Sequence, residues 1–286
     1  MRIIHRRMTL RKLHDAIYVD TDAKNGGNHG AIVFDDEILM IDSGMIHSKS
    51  RVSKEFLESE TGLSIKKLIF THSHSDHVFG AQAFEPVLLI SSETMRKNCV
   101  DRLKHEWKHN ILLERYAQAK NDNPELWDAL QTLSIRLPDI VFDDEITLGK
   151  YQQVTAKRMG GHTSGSSIVI SHDHDTVFVG DLIFSGQFPY GGDPTCNPDL
   201  WILALEKIHA EQYKTIIPGH GPVCGQKELE DYIDALSTLR RNIKDAIERG
   251  LSIESFSGSK KIPKALKTGF ERFGEVTLKH WFEYYA

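Results

Sequence analysis

Short apolar, β-branched runs punctuated by turn residues fill the first ninety positions, at residues 16–20, 31–34, 38–42, 67–71 and 87–90. Runs of this length, bounded by Gly26-Gly27 or Asp35-Asp36, read as strands. Residues 48–60 read as a polar-faced helix, and a second helix starts inside the segment THSHSDH and runs toward Phe84. From 92 to about 132 helix formers dominate, which predicts two helices broken near Pro124. β character returns after Pro138, with strands expected at 146–148, 153–157, 167–170, 176–179 and 215–217. Asn197 followed by Pro198 predicts a helix start, since Asn caps and Pro suits the first helical position. That helix should reach about Ala210. Leu229, Ile233, Leu236, Ile243 and Ile247 then recur at helical spacing and predict a long amphipathic helix. The tail from about 252 to 286 reads as helical, anchored by Phe256, Phe270, Phe273 and Trp281. Without a clean linker or a short repeat, the pattern predicts one α/β domain. It carries a helical insertion at about 92–132 and a helical tail.

Composition narrows the function. Hydrophobic residues make up 40% and charged residues 26%, which suits a packed core and not a disordered chain. The balance of 35 basic against 40 acidic side chains, formally −5, is not that of a dedicated nucleic-acid binder. No run of about 18 apolar residues is present, so no membrane span is expected. The start, Met1 to Arg7, is basic, but Thr9, Arg11, Lys12, His14 and Asp15 follow where a signal peptide would need an apolar core. A cytoplasmic location is therefore expected. Cys99, Cys196 and Cys224 are odd in number and far apart, so they form neither a disulfide framework nor a CxxC metal pair.

The 15 histidines change the picture. THSHSDHVFG, from Thr71 to Gly80, sets His72, His74, Asp76 and His77 within six residues. Imidazole and carboxylate are the donors a borderline metal such as zinc takes outside thiolate sites. In an extended loop, residues two apart point to one side, so His72 and His74 can converge on one ion. Asp76 and His77 lie beyond the bend and can face a second. GGHTSGS supplies His162, VGDLIF supplies Asp181 and IPGHGPV supplies His220, each expected where a strand hands over to a loop. His5, His14, His47, His105, His109, His172, His174, His209 and His280 are isolated and read as ordinary surface or core residues.

HxHxDH, GHTxG, an Asp after a strand and PGHG together resemble the metallo-β-lactamase superfamily, over roughly residues 16–225. The resemblance implies an αββα sandwich, two mixed β-sheets packed face to face with helices outside. It implies one metal on His72, His74 and His162, another on Asp76, His77 and His220, and Asp181 bridging them. Asp42 in IDSG matches a position that orients ligands without being one. The cofactors implied are two Zn(2+) per chain, with iron or manganese as alternatives. A metal-bridging hydroxide would attack the substrate, and Asp76 would carry protons as the catalytic residue.

Fold does not fix the bond that is cut. The commonest dinuclear β-lactamases carry Cys at the Asp181 position and Lys three residues on, where this chain has Phe184. β-Lactam hydrolysis is therefore at most promiscuous. Lactonases often have Tyr at the Phe184 position, for which Tyr190 could substitute. Glyoxalase II enzymes usually have His where this chain has Ser166. The reading is a hydrolase of a small-molecule ester, lactone or thioester, with Phe184 and Tyr190 as candidate substrate contacts. The rivals are a phosphoester hydrolase and a mononuclear iron oxygenase like the persulfide dioxygenases. No nucleic-acid or membrane partner is expected, and a homodimer stays open. Trp107, Tyr116 and Trp127 of the insertion are read either as pocket or, more often for tryptophan, as core.

Overall fold

The computed structural model describes residues 10–286 apart from 152, 258–260 and 267. The basic start, Met1 to Arg7, and positions 258–260 and 267 of the expected tail lie outside the described residues. The chain divides into two compact units, residues 1–153 and 154–286.

The first unit is built on a seven-stranded sheet in sequential order. Strands β1 (Arg11–His14), β2 (Ile17–Asp20), β3 (His29–Val33) and β4 (Ile38–Ile41) form an antiparallel meander. From β4 onward, β5 (Ile65–Ile69), β6 (Leu88–Ser92) and β7 (Ile140–Phe142) run parallel. Parallel strands need helical crossovers. The first is α1 (His47–Thr61), closed by Gly62 in the left-handed region (φ 72°) with its N–H on the Glu58 carbonyl. The second is the short α2 (Ser75–Val78), continued by a 3₁₀ turn over Phe79–Phe84. The third crossover is the insertion. There the expected pair of helices is four: α3 (Glu93–Lys104), α4 (His109–Arg115), α5 (Ala119–Asp122) and α6 (Pro124–Gln131).

The extra breaks have local causes. Asn123 accepts from the Leu126 N–H and Pro124 opens α6, so this boundary falls where the sequence puts it. The earlier break turns Trp107 inward. Its ring is 4% exposed and meets Phe79 edge-on, with centroids 5.1 Å apart. Trp107 is thus a core residue. Trp107→Ala is expected to cost about 3–5 kcal/mol of stability, measured as a lowered urea midpoint; an unchanged midpoint would contradict the packing role. Strand β1 was not expected, because its sequence RKLH is polar. Among the described residues it is an edge strand that pairs with β2 alone, so backbone hydrogen bonds hold it more than apolar burial. The unit ends with strand β8 (Glu145–Leu148).

In the second unit β9 (Val154–Arg158), β10 (Ser167–Ser171) and β11 (Thr176–Phe184) are antiparallel neighbours, and β12 (Thr215–His220) runs parallel to β11. Helix α7 (Pro198–Ala210) is capped as expected, the Asn197 side chain accepting from the Leu200 N–H. Helix α8 (Gln226–Glu248) buries Leu229, Leu236, Leu239 and Ile243. The tail forms α9 (Ile253–Ser257) and α10 (Phe270–Tyr285), whose Phe256, Trp281 and Phe282 join the same core. Two strands outrun expectation. β11 does not stop before Asp181 but carries it inside the strand, past an irregularity at Gly180 (φ 51°) where the register to β12 shifts. β12 reaches His220 across Pro218, which an edge strand tolerates. No helix of the described residues is long and apolar enough to cross a membrane.

Candidate metal centre

The candidate ligands of the first unit leave the carboxyl end of β5, where a parallel strand delivers its loop. His72 Nε2 lies 3.1 Å from His74 Nδ1, their rings nearly perpendicular. The rings of His72 and His77 pack at 4.3 Å. Donor atoms of Asp76 and His77 lie within 4.8 Å of one another. His77 is fully buried and held on two sides. Its Nδ1 meets Asp42 Oδ2 at 2.8 Å. Its ring face meets the backbone at Gly27, where an added Cβ would fall 2.3 Å from Nε2 and 2.4 Å from Cε1. Glycine there is a spatial requirement: any side chain would displace the ring. The Gly27 N–H also donates to the Asp76 carbonyl at 3.2 Å.

Asp42 is the hub of this half. It leaves β4 with φ 55°, an uncommon left-handed conformation for a non-glycine residue. One carboxylate oxygen accepts from the Thr71 N–H (2.8 Å), and the other from the Thr71 hydroxyl (2.7 Å) as well as His77. Two further residues stand beside this half. Tyr116, from the insertion, is half-buried with its hydroxyl 3.4 Å from Ser75 Oγ, between His74 and Asp76 in the chain. His29 is buried against Ser53 Oγ at 3.3 Å. Burial outweighs the nearby Asp20 carboxylate and holds the His29 pKa below its ordinary value. Tyr116 is among the insertion aromatics that the sequence offers as pocket or core, whereas His29 went unnoticed because its partner Ser53 is distant in sequence.

The second unit gathers the other three. Asp181 Oδ2 lies 3.5 Å from His162 Nε2 and 3.4 Å from His220 Nε2, so a single carboxylate oxygen stands between two imidazole nitrogens. Phe184 and His220 are register partners on β11 and β12, and their rings stack at 5.0 Å with a 9° tilt. Phe184, expected as a substrate contact, is therefore 1% exposed and walls the histidine. Tyr190 is half-buried, its ring 6.2 Å from His162 and 5.6 Å from Phe273. Trp201 packs on His162 at 5.0 Å and donates its Nε1–H to the Leu182 carbonyl at 2.8 Å. A Cβ on Gly219 would sit 2.0 Å from Asp181 Oδ1, so β12 approaches the carboxylate only without a side chain. Ser166 Oγ accepts from the Thr163 N–H at 3.0 Å, and Ser167 donates to the Gly165 carbonyl at 3.1 Å. These serines build the turn that carries His162.

The donor sets fit a metal. Two ligands on a tetrahedral zinc ion, each about 2.0–2.1 Å from it, lie about 3.3 Å apart. The His72–His74, His162–Asp181 and His220–Asp181 separations run from 3.1 to 3.5 Å. The cysteines do not compete as ligands. Burial pushes the Cys99 and Cys224 thiols up to about 12 and Cys196 higher still, which disfavours the thiolate a metal needs.

Residues 25–220 match the family model of the metallo-beta-lactamase superfamily. The chain belongs to this superfamily. It is similar to a linear primary-alkylsulfatase from Pseudomonas sp., 21% identical over an alignment 273 residues long that covers 85% of this chain and 52% of the relative. It thus spans about half the length of the curated relative it matches. Among solved structures, the metallo-beta-lactamase from Pontibacter korlensis covers 80% of this chain, with 98% of its own, at 19% identity and TM-score 0.60. The stereoselective inverting sec-alkylsulfatase from Pseudomonas sp. covers 97% of this chain, with 50% of its own, at 14% identity and TM-score 0.76. At such identities the likeness speaks for the fold: the metallo-β-lactamase fold of two mixed sheets with flanking helices. The superfamily is mostly hydrolytic, and this chain carries the histidine and aspartate residues of a candidate metal site.

Proposed function

We propose that this chain is a metal-dependent hydrolase cleaving an ester, lactone or thioester of a small molecule, with the sulfate ester of an alkyl chain the first to test. The observation that carries it is the donor spacing within each unit, with His77 already oriented by Asp42. By the family's ligand pattern, His72, His74 and His162 would hold one ion and Asp76, His77 and His220 the other, with Asp181 shared. When bound, two such ions supply Lewis acidity and lower the pKa of water near neutrality. Asp76 would take up a proton on its carboxylate and return it to the leaving group. Asp42 keeps His77 Nδ1 occupied, so Nε2 remains for coordination. Tyr190 would contact the substrate from the second unit.

The alkyl sulfate comes first because the likeness to the sec-alkylsulfatase extends over almost the whole chain, tail included, whereas the lactamase covers four-fifths. The test is metal analysis of the purified protein, then a panel of alkyl sulfates, carboxylic esters, lactones, thioesters and phosphoesters. Two ions per chain and chelator-sensitive hydrolysis of one ester class are expected. Hydrolysis undiminished by complete metal removal, or no turnover of any class by metal-loaded protein, would defeat the proposal.

A further inference from the structure

We infer that Thr71 is a positioning residue that fixes which nitrogen of His72 carries the proton, so that the Asp42 carboxylate sets the tautomer of two histidines, His77 directly and His72 through the Thr71 hydroxyl. The use made of that tautomer rests on the metal-site reading above; the tautomer itself does not.

A hydroxyl has one hydrogen to give. Thr71 Oγ1 lies 2.7 Å from Asp42 Oδ2, and a carboxylate can only accept, so the hydroxyl hydrogen goes there. The same Oγ1 lies 3.1 Å from His72 Nδ1 and has only a lone pair left to offer. His72 Nδ1 must then be the N–H donor. A neutral imidazole carries one N–H, so His72 Nε2 keeps its lone pair. Nε2 is the atom that stands 3.1 Å from His74 Nδ1, where a shared ion would bind. For His77 the step is direct: Nδ1–H donates to Asp42 Oδ2 at 2.8 Å and Nε2 is left as the base. The carboxylate itself is pinned by the Thr71 N–H at 2.8 Å, a contact no Thr71 side-chain change removes. Thr71 is 1% exposed, so water does not supply an alternative donor from bulk solvent.

This separates Thr71 from a residue that only fills space. Thr71→Val keeps the shape and the backbone contact to Asp42 but deletes the relay. Thr71→Ser keeps the relay and deletes the methyl. In the metal-free full-length protein, long-range ¹H–¹⁵N NMR of the imidazoles should show His72 as the Nδ1–H form in the parent and in Thr71→Val a shift toward Nε2–H, with His77 unchanged. In a cobalt titration against a competing chelator, Thr71→Val should bind the ion shared by His72 and His74 about 10–100-fold more weakly. Thr71→Ser should stay near the parent, and the second ion should be held as before. His72 found as Nε2–H in the parent overturns the inference even if no variant folds. So does an unaltered tautomer with unaltered affinity in Thr71→Val, or equal loss of both ions. If the tautomer shifts as expected while no variant, nor the parent, binds cobalt, Thr71 keeps its role and the metal-site reading fails instead.

Discussion

Replacing Asp76 by alanine is expected to lower turnover more than about a hundredfold while the protein stays folded. A positioned general acid–base group contributes on the order of 10²–10⁴ in rate, and here the same residue is assigned as a ligand as well. The fold should survive because what anchors the Asp76 segment is backbone. The Gly27 N–H donates to the Asp76 carbonyl, and the Gly26 backbone packs against its Cβ, both of which alanine retains. Asp76 is also only half-buried and sits in the first turn of α2, where loss of a carboxylate costs little helix. The measurement is kcat on whichever ester proves to be hydrolysed, beside metal content and thermal midpoint. Near-normal turnover with metal retained would show that the proton carrier is another group. Loss of soluble protein would show that the carboxylate serves the fold, and Asp76→Asn, of the same shape, would then decide between the two.

What the sequence discloses about the candidate site follows from how local each interaction is. THSHSDH is legible because all four donors sit within six residues of one loop, and two-residue spacing maps directly onto one side of that loop. His162, Asp181 and His220 are legible as types flanked by glycine. Their setting is not: Asp181 lies inside β11 because the register to β12 slips at Gly180, which no hydrophobic pattern records. Thr71 reads as the last residue of a strand, and its hydroxyl acquires meaning only when β4 brings Asp42 beside it. Gly27 reads as half of a turn, yet its lack of a side chain is required by a ring 50 residues later. The same holds for the fold. Strands buried on both faces, such as Ile38–Ile41, are apolar throughout and easily read. The polar edge strand Arg11–His14 and the three-residue Ile140–Phe142, with Ile140 and Val141 exposed, are held mainly by pairing to a neighbour and so leave little trace. The breaks in the insertion are tertiary decisions too, since Trp107 leaves the helical path to reach Phe79.

Asp181→Ala should empty at least one of the two expected metal positions, and the effect should exceed that of removing any single histidine. Asp181 Oδ2 stands 3.5 Å from His162 Nε2 and 3.4 Å from His220 Nε2, two residues the family pattern assigns to different ions. A carboxylate shared between two cations offsets their mutual repulsion, so its loss weakens both sites together. A histidine removes one donor and leaves that compensation in place. The structure around Asp181 should tolerate the change. Its strand is paired on both sides, and the close approach of Gly219 to Asp181 Oδ1 relaxes when the side chain shortens. Asp181→Asn keeps the volume and one oxygen but not the charge, so a comparable metal loss in both variants would assign the effect to charge. Metal content per chain after dialysis is the direct readout. Thermal stability gives a second one, because an ion that binds only the folded state raises its stability by RT ln(1 + [M]/Kd). Added zinc should raise the midpoint of the parent more than that of either variant. Two ions retained by Asp181→Ala, with the parent's zinc-dependent midpoint, would remove Asp181 from the metal centre.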